Sequence, residues 1–562
     1  MKKILIANRG EIAVRVIRTC RDMGLATVAV YSACDRTALH VRMAGEAYAI
    51  GPDLASESYL RVDKLIDVAK RAGADAVHPG YGFLAENPEF AEACVKAGLT
   101  FIGPSGQVMR AIGSKTGARE IAVRAGVAIV PGSDSSLSPD ASGAEIAAAA
   151  GAVGYPLLVK AVAGGGGKGM RVVRAPEDLD GAVRLARSEA QSSFGDGRLY
   201  LERLLERPRH IEVQLLGDAH GMVVPFVERE CSIQRRHQKL IEETPSPVVT
   251  PALREQLTTA AAAIGRSVGY TSAGTVEFLL DASGAFYFLE MNTRLQVEHP
   301  ITEAVTGLDF VRAQIEIAQG VKLATMLADL KAGVPAFRPA DGHAIEVRVY
   351  AENPDEGFLP SPGLITHLRA PSGPGIRDDS GAFEGWSVPT AYDPLVSKVI
   401  AWAPDRERAI ARMVGALTEY DVRGISTTIG FCRRLIESPA FAAAEFDTTS
   451  VDRLLEAPQK GPAKAGHYQG GTYQGGTYQG GHHQGEDEVE EIAAIAAALC
   501  EMARHGTAGQ GAEPVEHAAE PVEQAAEPVE PIEADRKVES GPGPTRHIDS
   551  LWAQRGRLEN LR

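Results

Sequence analysis

Cysteine is scarce and scattered: Cys20, Cys34, Cys94, Cys231, Cys432 and Cys500 are the 6 in 562 residues, with no CxxC pair and no zinc-like spacing. That argues against a disulfide framework and fits free thiols in a reducing compartment, so the expected location is cytoplasmic. No secretory leader is expected either, because the two N-terminal lysines are followed only by Ile4 to Ala7 before Asn8, Arg9 and Glu11 interrupt. No uncharged apolar run is long enough to span a bilayer, and no membrane association is expected. Positive charge is in deficit. The formal net charge of −15 repels phosphate backbones and argues against general nucleic-acid binding, although a local basic cleft for a nucleotide remains open. The loop after the first strand carries one glycine, Gly10, where a dinucleotide fold carries GxGxxG, which leaves hydride transfer without support.

What is present points to a multi-domain globular enzyme. The hydrophobic content of 44% is ordinary for sizeable cores, and the length predicts about three domains. Residues 2 to 7 read as a buried strand, "NRGE" turns into a helix with Ile12, Val16 and Ile17 at helical spacing, and "ATVAVYS" gives a second strand. That is an α/β opening. "HPGYGFLAEN" follows a third strand-like run and reads as a tight turn around Gly80 and Gly82. From about Gly113, helices alternate with "PLLVKAV", "GMRVV", "LYLERLL" and "HIEVQLLGD", the last forming antiparallel sheet with "MVVPFVERE".

"VKAVAGGGGKGMRVV" carries the first chemical signal. Gly164, Gly165, Gly166 and Gly167 strip a loop of side chains, so its backbone N–H groups can wrap phosphate oxygens while Lys168, followed by Gly169, adds a cation. It is not a P-loop, because Lys168 is not followed by Ser or Thr and "MRVV" continues as strand. A glycine hairpin between strands is instead a mobile lid over a nucleotide. Lys160, at the end of the strand entering the loop, and Lys115, near Gly113 and Gly117, are further candidates for phosphate contacts.

The second signal is a pair of carboxylates. In "TVEFLLDASGAFYFLEMN" two strands flank a turn, and alternation sets Glu277 and Glu290 into otherwise apolar, buried strands, where a carboxylate is costly unless paired. With Asn292 they form an oxygen-rich cage suited to Mg²⁺. Beyond it, in "EMNTRLQVEHP", Arg294 offers a fork of donors to a planar anion and Glu298 is a base nearby. Cys231, in a strand among arginines, reads as packing.

Taken together, "MKKILIANRGEIAVRVIRTC", "HPGYGFLAEN", "AGGGGKGMRVV", "ERECSIQRRHQKLIEE", "EMNTRLQVEHPITE" and "GHAIEVRVYAENP" resemble biotin carboxylase, an enzyme of the ATP-grasp superfamily, from Met1 to about Leu455. The resemblance implies a mixed α/β and α+β chain: a Rossmann-like N-terminal domain over 1–114, an ATP-grasp core over 115–334 with a mobile glycine-rich lid at about 131–203, and a biotin carboxylase C-terminal domain over 335–457. It implies that ATP, with Mg²⁺ or Mn²⁺, activates bicarbonate as carboxyphosphate, and that a biotin ureido nitrogen is then carboxylated. By position, Lys115, Lys160, His210, Gln234 and His237 become nucleotide contacts, with Glu202 and Leu205 receiving the adenine and Leu279 packing on it. Glu277, Glu290 and Asn292 become the metal site. Lys239, Arg294 and the backbone at Gln296 and Val297 cradle bicarbonate, Glu298 deprotonates it, and Arg348 steadies the biotin enolate.

No lysine sits in a Met-Lys-Met setting, so biotin is expected on a separate carboxyl carrier protein, with carboxyltransferase subunits as further partners and a homodimer implied by the resemblance. Acetyl-CoA carboxylase is the first expectation for the whole system, with propionyl-CoA or other acyl-CoA carboxylases as alternatives. A carbamoyl-phosphate-forming relative and an inactive scaffold are the rival readings. After the enzyme, 458–485 repeats "GGTYQ" and reads as a tether without a core. Residues 486–562 read as two short amphipathic helices, around Val489 to Met502 and Leu551 to Leu558, joined by an acidic spacer in which Pro514, Pro521 and Pro528 forbid a coiled coil. The two helices are expected to dock onto a carrier or carboxyltransferase subunit, the tether raising their effective concentration.

Overall fold

A computed structural model describes residues 1–133, 136–162, 170–328 and 341–456, except for the side chains at 115, 116, 193, 194, 328 and 456. All of these belong to one compact unit, Met1–Gly461. The glycine loop, the expected boundary at 334/335 and the whole of the tail lie outside the described residues.

The N-terminal strands β1 (Lys3–Ile6), β2 (Ala26–Ser32), β3 (Glu46–Gly51), β4 (Ala76–His78) and β5 (Thr100–Phe101) form a parallel sheet in the order β3-β2-β1-β4-β5. Ile4, Leu5 and Ile6 of the central strand are fully buried, as a parallel strand covered on both faces requires. Gly10, at φ 65°, takes the chain from β1 into helix α1 (Gly10–Asp22), which buries Ile12, Val16 and Ile17 against the sheet. The run before "HPGYGFLAEN" is the fourth strand. "EAYAIG" was not foreseen as β3, because it sits at the sheet edge, half-buried and without a strong apolar alternation.

A small antiparallel sheet follows, β7 (Met170–Val173), β6 (Leu157–Ala161) and β8 (Leu199–Arg203) in that order, with the glycine loop joining β6 to β7. The third sheet has eight strands: β9 (Arg209–Gly217), β10 (Val223–Arg235), β11 (Gln238–Thr244), β12 (Ser272–Leu280), β13 (Phe286–Asn292), β14 (His343–Tyr350), and the Ile376–Ser380 and Leu395–Ala403 strands. They run antiparallel in the order β13-β12-β9-β10-β11-β14, then Leu395–Ala403 and Ile376–Ser380. This sheet carries the site. Its other side chains build apolar cores, with Ile211, Val213, Val276 and Phe278 on one stretch and Ile345, Val347 and Val399 on another.

Candidate active site

Strand alternation gathers one set of polar side chains of the large sheet on the face that lines the cleft. His210, Glu212 and Gln214 alternate along β9, and their register partners on β12 are Leu279, Glu277 and Thr275. On the other side of β12, Glu277 lies opposite Glu290 and Thr275 opposite Asn292. From β10 and β11, Arg229 faces Glu212 and Gln234 faces Lys239. The result is a continuous charged strip over an apolar core.

Lys239 is the hub of that strip. Its Nζ donates to Glu298 Oε1 at 2.6 Å, Glu212 Oε2 at 2.7 Å and Glu277 Oε1 at 3.1 Å. The other oxygen of Glu298 accepts from Arg348 Nη2 at 2.8 Å, and Arg348 Nε donates to Glu242 Oε1 at 2.6 Å. Glu298 is fully buried. Burial alone would push its carboxyl up, but the charges of Lys239, Arg348 and Arg229 outweigh burial and hold it well below the usual carboxylate range. Burial likewise opposes the charge on Lys239, and the three carboxylates around it win, keeping it protonated. Arg229, itself fully buried, anchors the floor through Glu212, Gln214, Thr302 and Thr275.

The segment after β13 supplies the next layer. Arg294 donates from Nε to Glu86 Oε2 (2.9 Å), from Nη1 to Gln296 Oε1 (2.9 Å) and from Nη2 to Asn292 Oδ1 (3.0 Å). Lys398 Nζ donates to the Val297 carbonyl at 2.8 Å and fixes that backbone from behind. His299 is buried and pushed well below the usual histidine range by burial and then by Lys398, so it stays neutral. Cys231 is buried, and burial pushes its thiol well up, so it packs and has no thiolate to offer.

A cleft of about 700 Å³ opens over this strip. Every predicted site residue whose side chain is described lines it, except Glu298, which sits directly behind the wall. At one end are Lys160, Glu202, Leu205, His210, Gln234, His237 and Leu279; at the other, Lys239, Arg294, Gln296, Val297 and Arg348. Lys160 is no surface lysine: it is buried against Glu202, which also takes Arg119. Arg236 and His237 turn the chain from β10 to β11 with φ of 48° and 68°. Lys115 opens the Lys115–Arg124 helix, but its side chain, like Gly164 to Gly169, falls outside the described residues.

Glu277 and Glu290 are direct neighbours across β12 and β13, but the expectation that both are buried needs correcting. Glu277 is buried; its Oε2 meets His210 Nε2 at 2.9 Å and its Oε1 accepts from Asn292 Nδ2 at 3.0 Å. Glu290 is exposed, because its side of β13 faces the open cleft. Two carboxylates and an amide oxygen remain a hard, all-oxygen donor set that fits Mg²⁺.

Glu86, Glu212, Arg229, Glu242 and Lys398 were missed from sequence. Glu212 and Lys398 each interrupt an apolar strand, "HIEVQLLGD" and "LVSKVIAWA", the same signal that singled out Glu277. Glu86 lies inside a motif read only as a turn.

Comparison with known proteins agrees across the described chain. The model for the biotin carboxylase N-terminal domain matches residues 1–109, that for the carbamoyl-phosphate synthase L chain ATP-binding domain matches 114–326, and that for the biotin carboxylase C-terminal domain matches 346–453. A pyruvate carboxylase subunit of Methanothermobacter thermautotrophicus is 51% identical over 451 residues, covering 80% of this chain and 89% of its own length. Biotin carboxylase 1 of Bacillus subtilis is 49% identical over 453 residues, covering 80% and 98%. The solved dimer of the biotin carboxylase domain of Hydrogenobacter thermophilus 2-oxoglutarate carboxylase, in complex with MgADP, ADP and bicarbonate, superposes with a TM-score of 0.76 at 45% identity, covering 80% of this chain and 97% of that one.

Proposed function

The chain belongs to the biotin carboxylase family of ATP-dependent ligases, and from that premise we propose that it uses MgATP and bicarbonate to carboxylate biotin held on a separate carrier protein. The acceptor that finally takes the carboxyl group binds a different polypeptide. Acetyl-CoA is the first to test, and pyruvate follows because one relative is named for it. A homodimer in the cytoplasm, working with carrier and carboxyltransferase subunits, and domain boundaries at 114/115 and 334/335 complete the proposal.

The observation that carries this reading is the clamp on Glu298, with Lys239 on one oxygen and Arg348 on the other, at the wall of a cleft that also holds Arg294. Bicarbonate is a poor nucleophile until it loses its proton, and a carboxylate can take that proton only where cations hold the dianion that results. Glu298 is kept ionised by its clamp and is therefore ready to accept. As Lys239 and Arg294 turn their charge toward the bound anion, Glu298 loses part of that stabilisation and becomes a stronger base. Gln296 and Val297 offer backbone donors to the same anion, on a segment braced by Lys398.

At the other end of the cleft, Lys160, His210, Gln234 and His237 bind and orient the nucleotide. A divalent cation held by Glu277, Glu290 and Asn292 would supply charge neutralisation for phosphoryl transfer. The ureido N–H of biotin is a very weak acid, and Arg348 sets positive charge where negative charge develops as that proton leaves.

The test is bicarbonate-dependent ATP hydrolysis with and without free biotin, in the wild type and in Glu298→Gln. Hydrolysis that rises with biotin and is lost in the variant supports the reading. Hydrolysis indifferent to biotin, or surviving the substitution, sinks it.

A further inference from the structure

Glu298 has no exposed surface, so while the anion fills the cleft in front of it, a proton placed on it has no direct contact with solvent. Of its neighbours, Lys239 and Arg348 already carry their full complement of protons and cannot accept another. Glu212 can accept one but is a dead end: it too is fully buried, with one oxygen on Arg229 and the other on Lys239.

A third direction leads on. Arg348 is shared between Glu298 and Glu242. Glu242 is the register partner of Glu346, which stands two residues before Arg348 on the same face of β14. Lys398, the register partner of Arg348 on the next strand, reaches Glu11 Oε1 at 3.1 Å. Glu11 also accepts from the hydroxyl of Tyr81, which is only half-buried. Along this line Glu242 Oε2, both oxygens of Glu346 and Glu11 Oε2 are buried with no hydrogen-bond partner among the described residues. Buried polar oxygens are nearly always satisfied, so such a run calls for a functional account.

We propose that Glu242, Glu346 and Glu11 form an internal proton exit for Glu298, carrying the proton taken from bicarbonate to the protein surface at Tyr81. This rests on the functional reading above. Protonated Glu298 gives its proton to the Glu242 carboxylate across the shared Arg348. Glu346, neutral at rest, takes that proton on one oxygen and releases its own from the other to Glu11, past the Lys398 ammonium. Glu11 then loses it to solvent beside Tyr81, with water bridging any two carboxyls that do not touch. One proton leaves per bicarbonate, and only O–H bonds form and break.

The electrostatics favour that direction. Burial, offset by Arg348 and Lys239 against the charge of Glu298, sets Glu242 at about 7. Burial, offset by Lys398 and Arg377 against Asp379, sets Glu11 at about 7 as well. Burial raises Glu346 well above the usual range despite Lys398 and Arg348, with Glu242 and Glu298 adding to the rise. A proton therefore runs from a group held well below the carboxylate range to groups poised near neutrality.

The test uses the full chain with Glu346→Gln and Glu11→Gln, following bicarbonate-dependent ATP hydrolysis in H₂O and D₂O across the neutral pH range. Both variants are expected to lose at least about tenfold in kcat, to show a larger solvent isotope effect, and to keep the KM values for MgATP and bicarbonate. An unchanged kcat and isotope effect in both would mean that the proton leaves through the cleft, and would overturn the exit. So would a fall in kcat with an unchanged isotope effect, the mark of a merely structural role. Should Glu346→Gln fail to fold, Glu11→Gln at the surface end decides. A wild type that lacks bicarbonate-dependent hydrolysis would instead overturn the functional reading, and the exit with it.

Discussion

Arg294 Nε donates to Glu86 Oε2 at 2.9 Å across 208 positions of sequence, and the second oxygen of the same carboxylate accepts from the Thr293 backbone N–H at 2.9 Å. One exposed glutamate from the N-terminal domain thus fixes both the backbone and the guanidinium at the Lys239–Arg348 end of the cleft. A charge-assisted hydrogen bond of this kind is worth about 1.5–3 kcal/mol, while an exposed pair adds little to global stability. Glu86→Gln is therefore expected to raise the KM for bicarbonate by about tenfold and to leave the unfolding midpoint nearly unchanged. Steady-state kinetics with bicarbonate as the varied substrate, beside a denaturation curve, checks both halves.

Arg229 is predicted to matter for stability in the opposite proportion. It has no exposed surface, and its guanidinium serves Glu212, Gln214, Thr302 and Thr275. Arg229→Met would leave the buried Glu212 charge sharing only Lys239, a loss of about 3–5 kcal/mol. The pair Arg229→Met with Glu212→Gln should recover part of it, because the uncompensated charge is then gone. Arg71→Met, at an exposed pair with Asp67, should cost no more than about 0.5 kcal/mol. Urea unfolding of the three variants side by side separates these outcomes; equal losses at positions 71 and 229 would contradict the account.

Much of this arrangement was legible in the sequence. Glu277 stood out because a carboxylate inside an apolar strand must be compensated, and the sheet supplies His210, Lys239 and Asn292 around it. Glu290 was misread as buried because alternation reports which face of a strand a side chain takes, and not whether that face is covered. Glu212 and Lys398 carried the same signal as Glu277 and went unread for want of an obvious partner in sequence. Glu86 had no local signal at all: it is an ordinary polar residue at the end of a turn until the chain brings Arg294 to it. Lys160 illustrates the same limit, since only tertiary packing against Glu202 tells it from a solvated lysine.

Glu11 gives a pH-dependent prediction. Its carboxyl sits at about 7 in the folded chain, raised first by burial and held back by Lys398, against about 4.3 for a solvated glutamate. Between those values the folded state keeps a proton that the unfolded state has released. Its contribution to stability therefore falls as pH rises through that window and is constant above it. Glu11→Gln has no proton to lose. The stability of the variant relative to the wild type should thus climb between about pH 4 and about pH 7, whatever its offset at either end. A difference that stays flat with pH, measured by thermal unfolding in a buffer series, would contradict this.

Arg236 and His237 complete the set from the opposite end of the cleft, beside Gln234 and His210. With φ of 48° and 68° they form a two-residue connection in which both central residues sit in the left-handed region, a turn that normally takes Asn-Gly or Gly-Gly. Non-glycine residues there cost of order 1 kcal/mol each and persist where the surroundings or the function hold them. Both side chains line the cleft, which supplies the reason to keep them. Arg236→Gly should therefore stabilise the chain by about 1 kcal/mol while, if the cleft takes the nucleotide as proposed, raising the KM for MgATP, since the strain goes but so does a cation lining the cleft. Unfolding midpoints and ATP titrations of the same preparation test the two together. A variant that is less stable, or that binds nucleotide as well as the wild type, would show that the turn is held by packing and not by its role at the cleft.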